Sequence, residues 1–460
     1  MMNIQNLMKL LLFLSIFICQ NYLTVQITRI ESLKPLAEHW NVSLNDVPNL
    51  LTIEGILTNA TIILTPLLYK YNDSFGGFYI NVKANSLFIN TIDFSKVSEI
   101  KSSPVLQEFI HLLNFKPANY STYQLESIFN SLSELTDSTN PVNIVMGISP
   151  IYNRIVIDLS HNDDKVNEEF LNATLQFEHF IFLNYVDDSD DSLTLRSTFN
   201  SSSSRLHTKR LIELYFQGGE GIVTNNTNTS QPVLSCLAGF SAIDVSTLQE
   251  YLITSARCLP PDPQNISIYH APWLPPFPHY DEYEFFGIVR EFKYAVIDFA
   301  LIEKFNDHFK LNPMIRSSVD EFPSSIISAF NINGVPIPVG HHLCISGYES
   351  YTSCGDVATV DTSVMLRPLR QRVLSDTYRK MIKANIPCSS KDVGGTVFGN
   401  ENHNGTLFTL VHGILTATLS TYRTPGNAVI QPLASMINNN PTRHIFENLL
   451  YIDLDTYNQL

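Results

Sequence analysis

Beyond Gly218 the helical periodicity of this chain almost vanishes. Short apolar runs follow one another instead: "LSCLAGFSAI", "EYLITSA", "YAVIDFALI", "HHLCISGY" and "LFTLVHGILTATL", divided by Pro, Gly and Asn. Strands at this density, with turns between them, indicate a sandwich or a barrel. "PLASMINN", near the end, is the one plausible helix of this half.

The first half has a different grammar. From about residue 25 to 185 helix and strand signals alternate. "SSPVLQEFIHLLNF" opens with Ser103 as N-cap and Pro104 at the first helical position. "STYQLESIFNSLSEL" puts Leu125, Ile128, Phe129, Leu132 and Leu135 on one helical face. "FGGFYINVKANSLFIN" reads as two strands joined near Ala84-Asn85, and "NRIVIDL" as another, which makes the region α+β. Between the halves lies "VDDSDDSLTLRSTFNSSSSRLHTKR", polar and low in complexity, a solvated linker. It ends in Lys209-Arg210, which reads either as a processing site or as two surface cations. "ELYFQGGEG", shortly after, is read as native sequence. The expected organisation is therefore a leader over 1–24, an α+β unit over 25–185, a linker over 186–217 and a β unit over 218–460.

Several features point to export. "MMNIQNLMKLLLFLSIFICQ" carries Lys9 and then an unbroken apolar run, too short to span a bilayer and suited to a secretory leader. A buried first helix would need a polar face, which the run lacks. Nothing later is expected to be a membrane span. Asn41, Asn59, Asn72, Asn119, Asn172, Asn200, Asn225, Asn228, Asn265 and Asn404 all stand in N-x-S/T, as in a glycosylated secreted protein. Cys19 leaves with the leader, so the remaining cysteines are odd in number and fit two disulfides plus one thiol. Their spacing does not suggest zinc, and no metal or cofactor is expected. The net charge of −15 argues against nucleic acid as a partner.

Four segments of the β unit carry chemistry: "CLAGFSAIDVSTLQEYLITSARC" (Cys236 to Cys258), "IDFALI" around Asp298, "CISGYESYTSCG" (Cys344 to Cys354) and "KDVGGTVFG". In this order they resemble the base loop, acid segment, short disulfide loop and nucleophile loop of chymotrypsin-fold serine proteases, in particular the streptogrisin and α-lytic group. The first half resembles the pro-regions of that group. The resemblance implies a mostly β chain, a chymotrypsin-like double β-barrel preceded by an α+β pro-region domain that docks on it. It also implies disulfides Cys236–Cys258 and Cys344–Cys354, with Cys388 left as a thiol because no later cysteine exists.

The same resemblance puts Asp298 at the acid position, Arg257 at the base position and Val393 at the nucleophile position. Lys391, Asp392, Gly394 and Gly395 make the surrounding oxyanion loop, whose acid-x-Gly-Gly spacing is expected to aim residue 393 outward. The family mechanism needs a hydroxyl, an imidazole to take its proton and a carboxylate to orient the imidazole. Arg257 stays protonated and cannot act as a base. Val393 has no atom to attack with, and Lys391 replaces a glycine whose backbone N–H helps form the oxyanion hole. With two triad members gone, residual acceleration would be on the order of 10³ over water at best.

Substitutes are few. Ser389 and Ser390 sit off the turn apex, and His270, His279, His341, His342, His403 and His412 read as surface or loop residues. Cys388 reads as a buried small residue rather than a reactive thiol. Arg257 and Asp298 are expected to pair with each other, and Asp392 to hold its loop through Arg257 or another nearby cation. "HGILTAT" (His412 to Thr418) aligns with the specificity strand, with Ala417 and Thr418 narrowing the pocket. The leading expectation is a secreted, catalytically inactive protease homologue that binds a protein or peptide partner, such as a protease inhibitor or an active relative. The alternatives are an active endopeptidase with non-standard residues, and an unprocessed two-domain binding protein.

Overall fold

The computed structural model describes residues 30–186, 214–225, 232–260, 263, 266–271, 283–294, 296–316, 324–348, 351–367, 376–419, 427–438, 446 and 449–452. The leader, Lys209-Arg210, Asn200, Asn228, Asn265 and His279 lie outside the described residues.

The helix expected after Ser121 spans Thr122–Thr139. Ser121 and Gln124 form a reciprocal capping box, and Asn140 ends the helix in the left-handed region. Leu125 and Leu132 are buried, with Ile128, Phe129 and Leu135 packed beside them against the hairpin of strands Ile144–Ser149 and Arg154–Leu159. The hairpin Phe75–Asn81/Ser86–Thr91 also forms where expected, and Asn85 takes a φ of 45° in its turn. The segment after Ser103 departs from expectation. Pro104–Leu112 is a 3-10 helix, followed at once by the strand Leu113–Pro117. Leu106 and Leu112 are buried and Phe109 packs beside them, a spacing of three that matches three residues per turn.

The dominant element of the first half is a helix that the sequence reading did not single out, Val47–Tyr69. Val47, Leu51, Glu54, Leu57, Ala60, Thr61, Leu64 and Leu68 are buried on it, a continuous stripe at helical spacing. The expectation that nothing after the leader is long or apolar enough to cross a bilayer does not hold. Within the stretch Leu44–Tyr69 an 18-residue window has a mean hydropathy of 1.5, which meets that criterion by length and composition. Its stripe is packed, however, against the strand Thr396–His403 of the β unit and against Pro104–Leu112 and Phe75–Asn81 of the first half, and it carries Glu54 into the contact with the β unit.

The second half is β throughout apart from short helices such as Leu433–Asn438. One sheet has 8 strands and a second has 12, both barrel-like. The chain is thus mostly β, with helices concentrated before residue 181. Its first strand, Leu214–Gly218, begins inside the stretch expected to be linker and pairs in parallel with Phe309–Ile315. The two halves share the larger sheet. Ile144–Ser149 adds antiparallel to Thr352–Leu366, with Ser363 opposite Met146 and Met365 opposite Ile144. Buried charge pairs reinforce this junction, among them Lys383 with Asp158.

Candidate functional site

The strand Glu250–Thr254 ends in a 3-10 turn, Ala256–Cys258, capped by Ser255. This turn stands between the two other elements of interest. On one side Asp298 Oδ1 accepts the Ala256 N–H at 2.9 Å and Oδ2 accepts the Ser255 hydroxyl at 2.5 Å. On the other side Cys258 Sγ lies 3.6 Å from the Val393 carbonyl, which also accepts the Leu237 N–H at 3.0 Å. The structure therefore gathers 257, 298 and 393 around one turn. Disulfides Cys236–Cys258 and Cys344–Cys354 form as the resemblance implied, and Cys388 is the free thiol.

Asp298 is wholly buried. Its backbone N–H donates to Gln431 Oε1 at 2.9 Å, which fixes the start of the strand Phe299–Lys304. Burial pushes its carboxyl up to about 6, against the opposing pull of Ser255, Thr416 and Arg257. The expected Arg257–Asp298 pair is not what forms. The Arg257 guanidinium, 3% exposed, turns to Asp376 Oδ2 at 3.5 Å and to the Arg367 carbonyl at 3.4 Å. Two donors already hold Asp298, so the cation finds its counter-charge on another strand. Tyr378, fully buried, packs beside these charges, and burial raises its phenol.

The loop carrying Val393 departs from expectation as well. Val393 is 4% exposed and belongs to the apolar cluster with Cys236, Ala238, Leu252, Ala256 and Cys258. Its side chain is core, not presented outward: a valine gains from burial where a hydroxyl would not. Ser390–Asp392 form a 3-10 turn in which Ser389 Oγ accepts the Lys391 N–H at 3.2 Å and Asp392 Oδ2 accepts the Ser389 N–H at 2.7 Å. Asp392 thus holds the loop through a backbone donor. Lys391 is not among the residues with positive φ, so no glycine is required there. The Lys391 N–H that the resemblance assigned to an oxyanion hole already has an acceptor. Gly394 does require its glycine: φ is +89°, and a Cβ would stand 2.3 Å from the Leu237 carbonyl oxygen.

The candidate substitutes are equally occupied. Ser389 is buried and caps its own turn. His270 pairs with Glu220 at 2.9 Å, and His403 with Glu401 at 2.7 Å. His341, His342 and His412 are buried, contrary to the expectation of surface positions. Cys388 is buried and its thiol is pushed up to about 12 by burial, which makes it inert at neutral pH. Ala417 and Thr418 are buried in the strand Thr406–Thr418. Asn41, Asn59, Asn119, Asn172 and Asn404 are exposed and Asn72 half-buried. Among the described residues one group has donor atoms spaced for a metal, Glu54, His341 and His342, at the contact between the long helix and the β unit. The sequence reading missed Ser255, although a serine before a short turn is a recognisable cap signal. It missed Asp376, Gln431 and Glu54 for want of any local signal.

No family model matches the chain, and no curated protein matches it. Solved structures do overlay on it in part. Thermobifida fusca protease A is 14% identical, with 52% of this chain and 99% of that one covered and a TM-score of 0.37. The Nocardiopsis protease is 16% identical over 52% and 99% at 0.36, and the Cellulomonas bogoriensis chymotrypsin 18% identical over 52% and 100% at 0.36. At such TM-scores the overlays decide nothing about chemistry, which rests on the residues themselves.

Proposed function

We propose that this chain is a chymotrypsin-fold serine-protease homologue that is secreted and glycosylated, does not hydrolyse peptides, and acts by binding a protein or peptide partner such as a protease inhibitor or an active relative. The order of the Arg257, Asp298 and Val393 segments, their meeting at one turn and the two disulfides support the kinship. The disulfides and exposed sequons also favour an oxidising, extracellular setting. One observation supports the absence of catalysis in this reading: the residue that the resemblance puts at the nucleophile position is a buried valine, and the one it puts at the base position is an arginine engaged with Asp376. Among the described residues no imidazole stands at the Asp298 carboxylate, which accepts from a serine hydroxyl and a backbone N–H.

The test is hydrolysis of a labelled unfolded protein by the wild type and by Asp298→Ala, with binding of a canonical serine-protease inhibitor measured by calorimetry alongside. Neither chain should cut above background, and inhibitor binding would identify the partner class. Hydrolysis by the wild type that disappears in Asp298→Ala would overturn the reading.

A further inference from the structure

Away from Asp298, a file of buried polar side chains crosses the contact between the helix Val47–Tyr69 and the β unit. Glu54, 1% exposed, accepts the His342 backbone N–H on Oε1 at 2.8 Å and faces His342 Nδ1 with Oε2 at 2.6 Å. His342 Nε2 accepts the Asn400 backbone N–H at 3.0 Å. A backbone N–H can only donate, so Nε2 carries the lone pair and Nδ1 the proton given to Glu54. His341 Nδ1 lies on the other side of the carboxylate, 3.6 Å from Oε1 and 3.4 Å from Thr58 Oγ1.

His412 ends the file, its ring 6.3 Å from that of His341. The Asn331 amide is oriented by Val335, donating to its carbonyl and accepting its N–H, so Asn331 Nδ2 donates to His412 Nδ1 at 3.2 Å. His412 therefore carries its proton on Nε2. That atom and His341 Nε2 both border Gly399, where a Cβ would stand 3.1 and 3.8 Å from them.

The donor atoms of Glu54, His341 and His342 come within 4.8 Å of one another, a spacing a metal ion could use. His342 argues against it. With Nε2 committed to Asn400, a metal on Nδ1 would have to displace the ring's only proton and leave an imidazolate. The arrangement suits protons better than a metal.

We propose that Glu54, His341, His342 and His412 form a proton-operated latch, which holds the helix Val47–Tyr69 on the β unit while the imidazoles are neutral and releases it when they charge. Glu54 faces two of the three imidazoles, His341 and His342. A first added proton finds Glu54, and a second has no counter-charge inside the cluster. The other charges facing His341 are Glu401 and Asp356, and these already pair with His403 and His39. Among the described residues the titratable groups facing His412 are His341 and His342, both of which oppose its charging. Burial holds His341 below the ordinary imidazole value and, with its two neighbours, holds His412 well below it.

The sign follows from linkage. Imidazoles held low when docked bind more protons when released, so docking is strongest above about pH 6.5 and weakens as pH falls below it. Glu54, also held low, adds in the same sense below the ordinary carboxylate range. Each imidazole contributes up to about tenfold in the opening equilibrium per pH unit.

Hydrogen exchange of residues 47–69 in the full chain, corrected for intrinsic rates, tests this between pH 7.5 and 5. Opening should rise about tenfold or more per pH unit below 6.5 in the wild type, and the slope should flatten in the His341→Gln/His412→Gln variant. Should that variant not fold, histidine NMR titration of the wild type decides: both rings should titrate below their ordinary value and in step with helix opening. A flat wild-type profile, an unchanged slope in the variant, or titration of either ring at or above 6.5 overturns the latch. Stoichiometric zinc uptake that strengthens protection at pH 7.5 overturns it in favour of a metal site.

Discussion

Asp298 and Glu54 are both carboxylates sealed from water, and they differ in what faces them. Asp298 meets a serine hydroxyl and a backbone N–H, and burial wins: its carboxyl is pushed up to about 6. Burial alone would raise Glu54 too, but His341 and His342 outweigh it and hold the group below its ordinary value. The chain thus keeps imidazoles beside a carboxylate, at the contact between its halves instead of at the turn where a protease would use them. Partners, more than depth, decide whether a buried acid stays ionised.

The first ways to break this contrast are substitutions. Gly394→Ala should have the largest effect, a loss of about 4 kcal/mol or outright failure to fold, because it combines a clash with backbone and a positive φ. A mild effect by urea denaturation would mean that the Val393 loop is not tied into the core. Glu54→Gln should cost about 3 kcal/mol, since it removes the carboxylate that holds His342 and faces His341. Asp298→Asn should cost no more than about 1 kcal/mol at pH 7, because it removes a charge that burial already opposes and keeps the acceptor for Ala256. Equal losses for these two variants would abolish the contrast.

A pH series sharpens it. Asp298 ionises near 3.8 when unfolded and at about 6 when folded, so the folded state binds the extra proton between them. Its contribution to stability is full below about pH 4 and is lost as pH rises through 6. Subtracting the Asp298→Asn profile from that of the wild type should expose this fall, opposite in sign to the Glu54 and histidine effect. The smallest effect expected is at Cys388, whose thiol should resist alkylation in the native chain and react only after unfolding.

Much of the fold was legible because it is local. The capping box at Ser121 and the apolar face of Thr122–Thr139 lie within a few residues of each other, and so do the strands around Asn85. Both disulfides followed from the resemblance. The helix Val47–Tyr69 was not legible: Gly55, several Thr and Ile and Pro66 weaken its propensity, and tertiary packing supplies what propensity lacks. The segments that meet at the Ala256–Cys258 turn were legible, and the contacts they make there were not. Arg257 finds Asp376 across 119 residues, and Glu54 meets His342 across 288, separations on which no periodicity bears. Val393 was expected to point outward because the spacing of its loop said so. Its burial depends on a cluster drawn from strands more than a hundred residues away.

The most direct test of the central claim, that Val393 and its loop are core and the proposed protease homologue is therefore inactive, is an attempt to install catalysis. Arg257→His/Val393→Ser supplies the imidazole and hydroxyl that the proposed kinship calls for and leaves Asp298 in place. The double variant should show no burst of acyl-enzyme and no turnover, because residue 393 is buried and the Lys391 N–H is held by Ser389. Its stability should fall by about 2 kcal/mol from the buried hydroxyl and the lost Asp376 partner. A burst with Asp298-dependent turnover would contradict the account, and would mean that two side chains were all the site lacked.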